Sequence, residues 1–263
     1  MNKYGKLLRY ELKGILRDPM TLMMLAFPVL LLALSCFVFP RVIQGLPPME
    51  AFSARTVSLL MVLFISAFGG IMAGSMATFQ LLDHKDEHTL HTIAATPLGL
   101  SGYLLFKMSY VLLLSVLSVF LVLQGTKWLA ADAYTMMGER LLDRVSTPQI
   151  LFYSLSSGLL APVLALLMGG IARNKVEGFA WIKGSGLLIF IPLLLVLPAF
   201  QGARQYILGV FPNFWAAKGL AMVLLKESDP SNLGFGLYLL IGAVYSLLLY
   251  TAAFRLFLKK QQY

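Results

Sequence analysis

The 263-residue chain is built around six long apolar runs, from about Pro19 to Pro40, Val57 to Leu82, Tyr103 to Gln124, Ile150 to Ala172, Phe179 to Phe200 and Leu233 to Leu258. A bilayer's hydrocarbon core is about 30 Å thick, and a helix rising about 1.5 Å per residue needs about 20 apolar residues to cross it. Inside that core every backbone N–H and C=O must be satisfied without water, so runs of this length are expected to be helices. Composition agrees, with 59% hydrophobic and 13% charged residues against about 45–50% and about 25% in soluble domains. The expected fold is an all-α integral membrane protein with six transmembrane helices. No tract between the runs is long enough for a soluble domain, so 1–263 reads as a single transmembrane domain without internal repeats.

Charge sets the expected orientation. Six crossings place both termini on one side. That side, with the second and fourth connections, holds thirteen Lys and Arg residues against eight on the other, so both termini are expected in the cytoplasm of a cell membrane. The net charge of +9 is spread over many loops and no nucleic-acid-binding motif accompanies it; anionic lipid headgroups account for it, and no nucleic-acid partner is expected. Lys3, Lys6 and Arg9 ahead of Leu34-Ser35-Cys36 imitate a lipoprotein signal. The apolar run starts only at Pro19, however, and five more runs follow, so cleavage is not expected. Cys36 is the single cysteine, which excludes an intrachain disulfide.

All three histidines fall in "DHKDEHTLHTIAATP", residues 83–97. Were the stretch one continuous helix, His84, His88 and His91 would share a face, and His84-x-x-Glu87-His88 has the order of an inverted zinc-protease motif with Glu87 as base. A helix separates His84 from His91 by about 10 Å, however, too far for one tetrahedral ion with nitrogen ligands at about 2.0–2.1 Å. No further histidine exists to complete the site, so no metal is expected. The better reading is an amphipathic helix over Asp83–Ala95, ended by Thr96-Pro97 and offered to a soluble partner.

Within this segment, "DEHTLHTIAATPLGLSGYLLFK" resembles the stretch after the second span of the type-2 ABC-transporter permease family. There an acidic stretch ending in Glu-x-Thr-Leu leads to a short helix, then Thr-Pro, then a lysine opening the next span. Glu87, Thr89, Leu90, Thr96, Pro97 and Lys107 occupy the matching places. The resemblance implies that 83–98 is the cytoplasmic coupling helix that docks on an ATPase subunit. His88 stands where the family most often has glycine, and His91 where an acidic residue is common.

The opening "KLLRYELKGILRDPMTL" is similar to the family's amphipathic interfacial helix, here 1–18 with Arg9, Glu11 and Arg17. Leu7, Leu8, Leu12, Ile15 and Leu16 form an apolar stripe, while Lys6, Arg9, Lys13 and Arg17 face headgroups. Asp18-Pro19 then opens the first span, and Pro28 and Pro192 are expected to kink the first and fifth. Residues 201–232 break at Phe211-Pro212-Asn213 into two pieces too short to cross. The family resemblance implies an outer re-entrant helical pair there, and a plain outer loop is the alternative.

In the second span Phe64, Phe68 and Met72 recur near helical spacing, and Ser66, Gly70 and Gly74 form a small-residue row beside them. The resemblance implies that this span borders a translocation path or dimer interface. With few charges in these spans, Phe64, Phe68 and Met72 with Phe179 and Phe190 of the fifth would line an apolar path, and the alternative is that these aromatics face lipid. Neither a phosphate-binding loop nor a Gly-x-Ser-x-Gly elbow occurs. The chain is therefore expected to be a transport subunit and not an enzyme, with no cofactor of its own: ATP and Mg would be held by partner ATPase subunits. The implied function is export of an amphiphilic or hydrophobic drug, lipid or peptide between two permease chains, homo- or heterodimeric, as in multidrug resistance. The alternative is a stand-alone membrane protein, either a zinc hydrolase using His84, Glu87 and His88 or an immunity-type binder of membrane-active peptides.

Overall fold

The first crossing begins where a carboxylate caps it. Asp18 accepts hydrogen bonds from the N–H groups of Met20 (3.3 Å) and Thr21 (3.2 Å), and Pro19 sits in the first turn, where its missing N–H costs nothing. The Thr21 hydroxyl also donates to Asp18 and, with the backbone donors, holds this carboxyl below the usual carboxylate range. The computed structural model describes residues 3–45, 51–136, 138–226 and 230–261. Helix α1 (Lys3–Arg17) precedes the cap, and among the described residues six helices long and apolar enough to cross a membrane follow it.

The first span comprises α2 (Pro19–Ala33), a π-helical turn (Leu34–Val38) and α3 (Phe39–Gln44). The expected irregularity at Pro28 lies elsewhere: α2 runs through the proline, and the ladder widens at Leu34–Val38. There the Ser35 hydroxyl donates to Leu32 O and pairs with Thr126 Oγ1, while Tyr134 donates to Ser35 O at 2.8 Å, so a disturbed carbonyl regains a partner.

The second span is α4 (Ala51–Asp86); the short α5 (Thr89–Ala94) joins it to the third, α6 (Gly99–Ala130). A two-residue antiparallel ribbon, β1 (Thr135–Met136) with β2 (Glu139–Arg140), interrupts the helical fold in the next connection. The fourth span is α7 (Thr147–Gly158) and α8 (Leu160–Ile171), started by a Ser146–Gln149 capping box.

The fifth begins as α9 (Lys175–Ser185) and continues as 3₁₀ turns over Gly186–Phe190 and Pro192–Val196. A kinked α-helix was the expectation. A 3₁₀ helix rises about 2.0 Å per residue instead of about 1.5, so the same residues reach farther across the bilayer. Its Leu188 carbonyl accepts from the Asn213 side chain. Asn213 lies in α10 (Pro212–Leu225), which follows a 3₁₀ helix over Gly202–Val210; the break at Phe211 falls where the sequence placed it. The sixth span is α11 (Phe235–Gln261).

Side-chain contacts sort the connections into two ends of the bundle. At one end Lys85 of α4 donates to Ala172 O at 2.9 Å and lies over the Phe257 ring, and Lys260 reaches Gly170 O. The end of the second span, the fourth connection and the C-terminal helix end therefore lie together. At the other end Lys226 and Arg144 share the Glu139 carboxylate, and Arg144 donates to Leu224 O. One core cluster, with Leu63, Tyr134, Tyr153 and Leu224, fills this second end; another, with Ile15, Leu81, Leu104 and Phe257, fills the first. Outward, Met23, Val29, Phe37, Leu113, Leu117, Leu240 and Leu248 are exposed. Such a belt of large apolar side chains suits lipid and not water.

The small residues of the second span serve packing inside the chain. A Cβ on Gly74 would stand 2.9 Å from Ala161 O, and one on Gly70 would stand 3.3 Å from Ser115 Oγ and 3.5 Å from Ser157 O. At Gly74 the backbones of the second and fourth spans approach too closely for a side chain, while Gly70 packs tightly against the third and fourth spans.

Candidate functional site: a polar joint at the coupling segment

The stretch expected as one helix over Asp83–Ala95 is two. Helix α4 ends at Asp86, and His88 takes a left-handed conformation (φ 55°, ψ 21°) before α5 starts at Thr89. A left-handed residue after a helix is usually glycine, because a Cβ is crowded there; histidine is among the residues that tolerate it. The departure from the family pattern at position 88 thus falls on the one backbone position in the segment where glycine has a steric advantage.

The reversal separates the three histidines. His88 and His91 are exposed, whereas His84 is turned inward. The Nδ1 of His84 lies 2.8 Å from Thr89 Oγ1 and its Nε2 lies 2.8 Å from the Tyr103 hydroxyl. Tyr103 donates to Glu11 Oε1 at 2.7 Å, and Lys107 donates to Glu11 Oε2 at 2.7 Å and to the Tyr103 oxygen at 3.1 Å. With one hydroxyl proton on Tyr103 already given to Glu11, its oxygen accepts from His84 Nε2–H. That assignment leaves Nδ1 to accept from Thr89. A single chain of donors then runs from Thr89 of α5 through His84 and Tyr103 to Glu11 of α1.

Both imidazole nitrogens are engaged in this chain, so His84 is a structural link and not a free metal ligand. Among the described residues no group of three His, Cys, Asp or Glu side chains is placed to hold a metal ion.

Lys107 is fully buried and Glu11 is 5% exposed. Two charges removed from water persist only when paired and hydrogen-bonded, and this pair has both. Sequence reasoning placed Glu11 on the interfacial helix and Lys107 in the coupling pattern without joining them. A signal was present: Glu11 sits four residues after Leu7 and four before Ile15, on the apolar stripe, where a carboxylate needs a buried cation.

Of the residues expected to couple to an ATPase, Leu90 is buried and Thr89 half-buried, while Glu87, Thr96 and Pro97 are exposed. The Thr96 hydroxyl donates to Ile93 O and Gly99 N–H bonds Thr96 O, so the turn into α6 is closed on itself. Arg9 and Arg17 are exposed on α1. The end of α4 is also clamped sideways: Asp83 pairs with Lys175, and Asp86 accepts from Lys175 N–H at 3.2 Å. A force on α5 therefore meets α1 and the second, third and fifth spans at once.

The residues assigned to a path fall into two sets. Gly74 faces the fourth span of its own chain, and Gly70 faces its third and fourth. Phe64, Phe68 and Met72 are half-buried; Phe68 stacks on Phe27 of the first span with ring centres 4.9 Å apart, and all three flank a cluster containing Leu160, Leu164 and Ile189. Phe179 and Phe190 are exposed.

Residues 11–254 match the Rv2686c-like family, described as fluoroquinolones export permease protein. The chain belongs to this family. It is 28% identical to the fluoroquinolones export permease proteins MT2760 and Rv2686c of two Mycobacterium tuberculosis strains, CDC 1551 / Oshkosh and H37Rv, over 254 residues that cover 96% of this chain and 92% of each relative. The chain is thus a multi-pass membrane permease of an export family, as the sequence reading expected from its apolar runs and coupling segment.

Proposed function

We propose that this chain is the membrane subunit of an ATP-driven ABC exporter. Two permease chains, identical or paired with a second kind, form the path in the cell membrane with both termini cytoplasmic, and separate ATPase subunits carry ATP and Mg. The cargo is an amphiphilic or hydrophobic compound, with drugs of the kind named for the relatives as the first candidates. The outer pair 201–232 is re-entrant in this reading, and Phe64, Phe68 and Met72 border the path or the second permease.

The observation that carries the proposal is the joint. Helix α5 and the Thr96-Pro97 turn are exposed on the more basic end of the bundle, and behind them His84, Tyr103, Lys107 and Glu11 bind the segment to three other helices. An exposed lever on a braced mount is what transmission from a soluble motor requires. ATP favours the closed ATPase pair, and that differential affinity shifts the permeases between inward- and outward-facing states.

Glu87→Ala, and more strongly Pro97→Leu, should lower drug efflux and drug-stimulated ATPase activity of the reconstituted complex while membrane insertion stays intact. Unchanged transport with both variants would overturn the assignment. Stoichiometric co-purification of an ATPase with the parent chain is the companion measurement.

A further inference from the structure

Beside the joint, between α1 and the inner ends of the second, third and fifth spans, lies a cavity of about 440 Å³. This falls within the roughly 300–1,000 Å³ of small-molecule sites. The buried Lys107–Glu11 pair and Gln80 form its polar floor. The Gln80 carbonyl already accepts from Tyr110 at 2.6 Å, which leaves its amide N–H₂ to donate.

The walls carry charges of opposite sign. Lys13 and Arg17 line it from α1, and Glu87 lines it from the turn after α4; all three are exposed. Among the described residues none of these three side chains is held by a hydrogen bond or ion pair. The other carboxylates are already occupied, Glu11 by Lys107, Asp18 by the cap of the first span and Asp83 by Lys175.

We infer that this cavity is a binding site for a zwitterion, whose anionic group meets Lys13 and Arg17 and whose ammonium meets Glu87. A ligand of one sign would leave one wall desolvated and unpaired, a cost that a zwitterion avoids. Two sources supply the chemistry. One is a soluble amphiphile carrying a carboxylate and an amine, as many fluoroquinolones do; the other is a phosphatidylethanolamine headgroup, which lies at the depth of an interfacial helix. The inference rests on the exporter reading for its functional meaning, since cargo is then met on the cytoplasmic side, but its test needs no ATPase.

The test is equilibrium binding to the purified full chain in phosphatidylglycerol nanodiscs, read by norfloxacin fluorescence. Three probes are compared: norfloxacin, its ethyl ester with only the cation, and its N-acetyl derivative with only the anion. Norfloxacin should bind about tenfold tighter than either, the worth of one charge-assisted contact. Arg17→Gln should weaken norfloxacin and the N-acetyl compound but not the ester. Glu87→Gln should weaken norfloxacin and the ester but not the N-acetyl compound. Equal binding of the three probes, or losses that ignore probe charge, would overturn the inference.

Adding phosphatidylethanolamine separates the sources. Weaker norfloxacin binding in the parent chain, with no further weakening in Arg17→Gln, supports the site with the headgroup as its resident; unchanged binding supports it with soluble cargo. Transport by the reconstituted complex keeps the two readings apart. Full norfloxacin transport by Arg17→Gln, with probe preference unchanged, refutes the cavity while the exporter stands; charge-matched binding without any ATP-dependent transport does the reverse.

Discussion

Removing the Lys107 ammonium tests the joint most directly. Its Nζ lies 2.7 Å from Glu11 Oε2, with the two side chains 0% and 5% exposed. Lys107→Met leaves the Glu11 carboxylate buried without its cation, and breaking a buried pair from one side costs about 3–5 kcal/mol. For a chain of this size 1 kcal/mol is worth about 2–4 °C in Tm, so the single variant should melt about 6–20 °C lower. Glu11→Gln alone should be costly for the mirror reason, a buried ammonium left with a neutral amide.

The double variant is the decisive member. Glu11→Gln with Lys107→Met removes both charges, while the glutamine oxygen still accepts from Tyr103. Replacing both members of a buried ion pair is often close to neutral. The double variant should therefore melt above either single one, and its loss should fall short of the sum of the two single losses by at least the about 3–5 kcal/mol of one broken pair. Fluorescence-detected size-exclusion after heating, on the purified chain in detergent, reads all four proteins. Additive losses in the double variant would mean that the two charges are not paired in the folded chain, and the joint would be refuted with them.

Relief of the left-handed residue is a second test: His88→Gly should keep or raise Tm, by up to about 1–2 kcal/mol of removed crowding, whereas the β-branched His88→Val should lower it. Limited proteolysis between 83 and 98 checks the same pair of variants. At the second–fourth span contact, Gly74→Leu should cost at least the about 1–3 kcal/mol of ordinary overpacking, because its Cβ would meet the Ala161 backbone. That loss should be the same for the isolated chain and for the complex; a loss confined to the complex would place Gly74 at an interface instead. At the opposite end, the Lys226 and Arg144 bonds hold the Glu139 carboxyl below its usual range. Its contribution to stability is therefore present above the ordinary carboxylate pKa and is lost as pH falls through the lowered one, and Glu139→Gln should flatten that part of the acid melting curve.

Helix number and position were legible in the residues because a bilayer leaves the backbone no alternative. Each crossing satisfies its own hydrogen bonds, so length and hydropathy decide it locally. The breaks at Thr96-Pro97 and Phe211-Pro212 were legible for a similar reason, since proline removes a donor wherever it stands. The Ser66, Gly70 and Gly74 row announced a close helix contact but not its partner.

Tertiary structure decided the rest. Glu11 and Lys107 are 96 positions apart, and no periodicity relates residues on different helices; their meeting depends on how α1 lies against the third span. Helix spacing argued against a metal at His84 but did not display what the imidazole binds instead. The left-handed backbone at His88 turned α5 back onto the bundle and made that imidazole a link between Thr89 and Tyr103. The 3₁₀ winding of the fifth span was likewise not displayed by its residues, nor was the bond from Asn213 of α10 to its Leu188 carbonyl. Apolar pattern sets which segments enter the membrane, whereas the few polar side chains carried in with them must find partners wherever packing brings them, and those partners are what the chain order does not display.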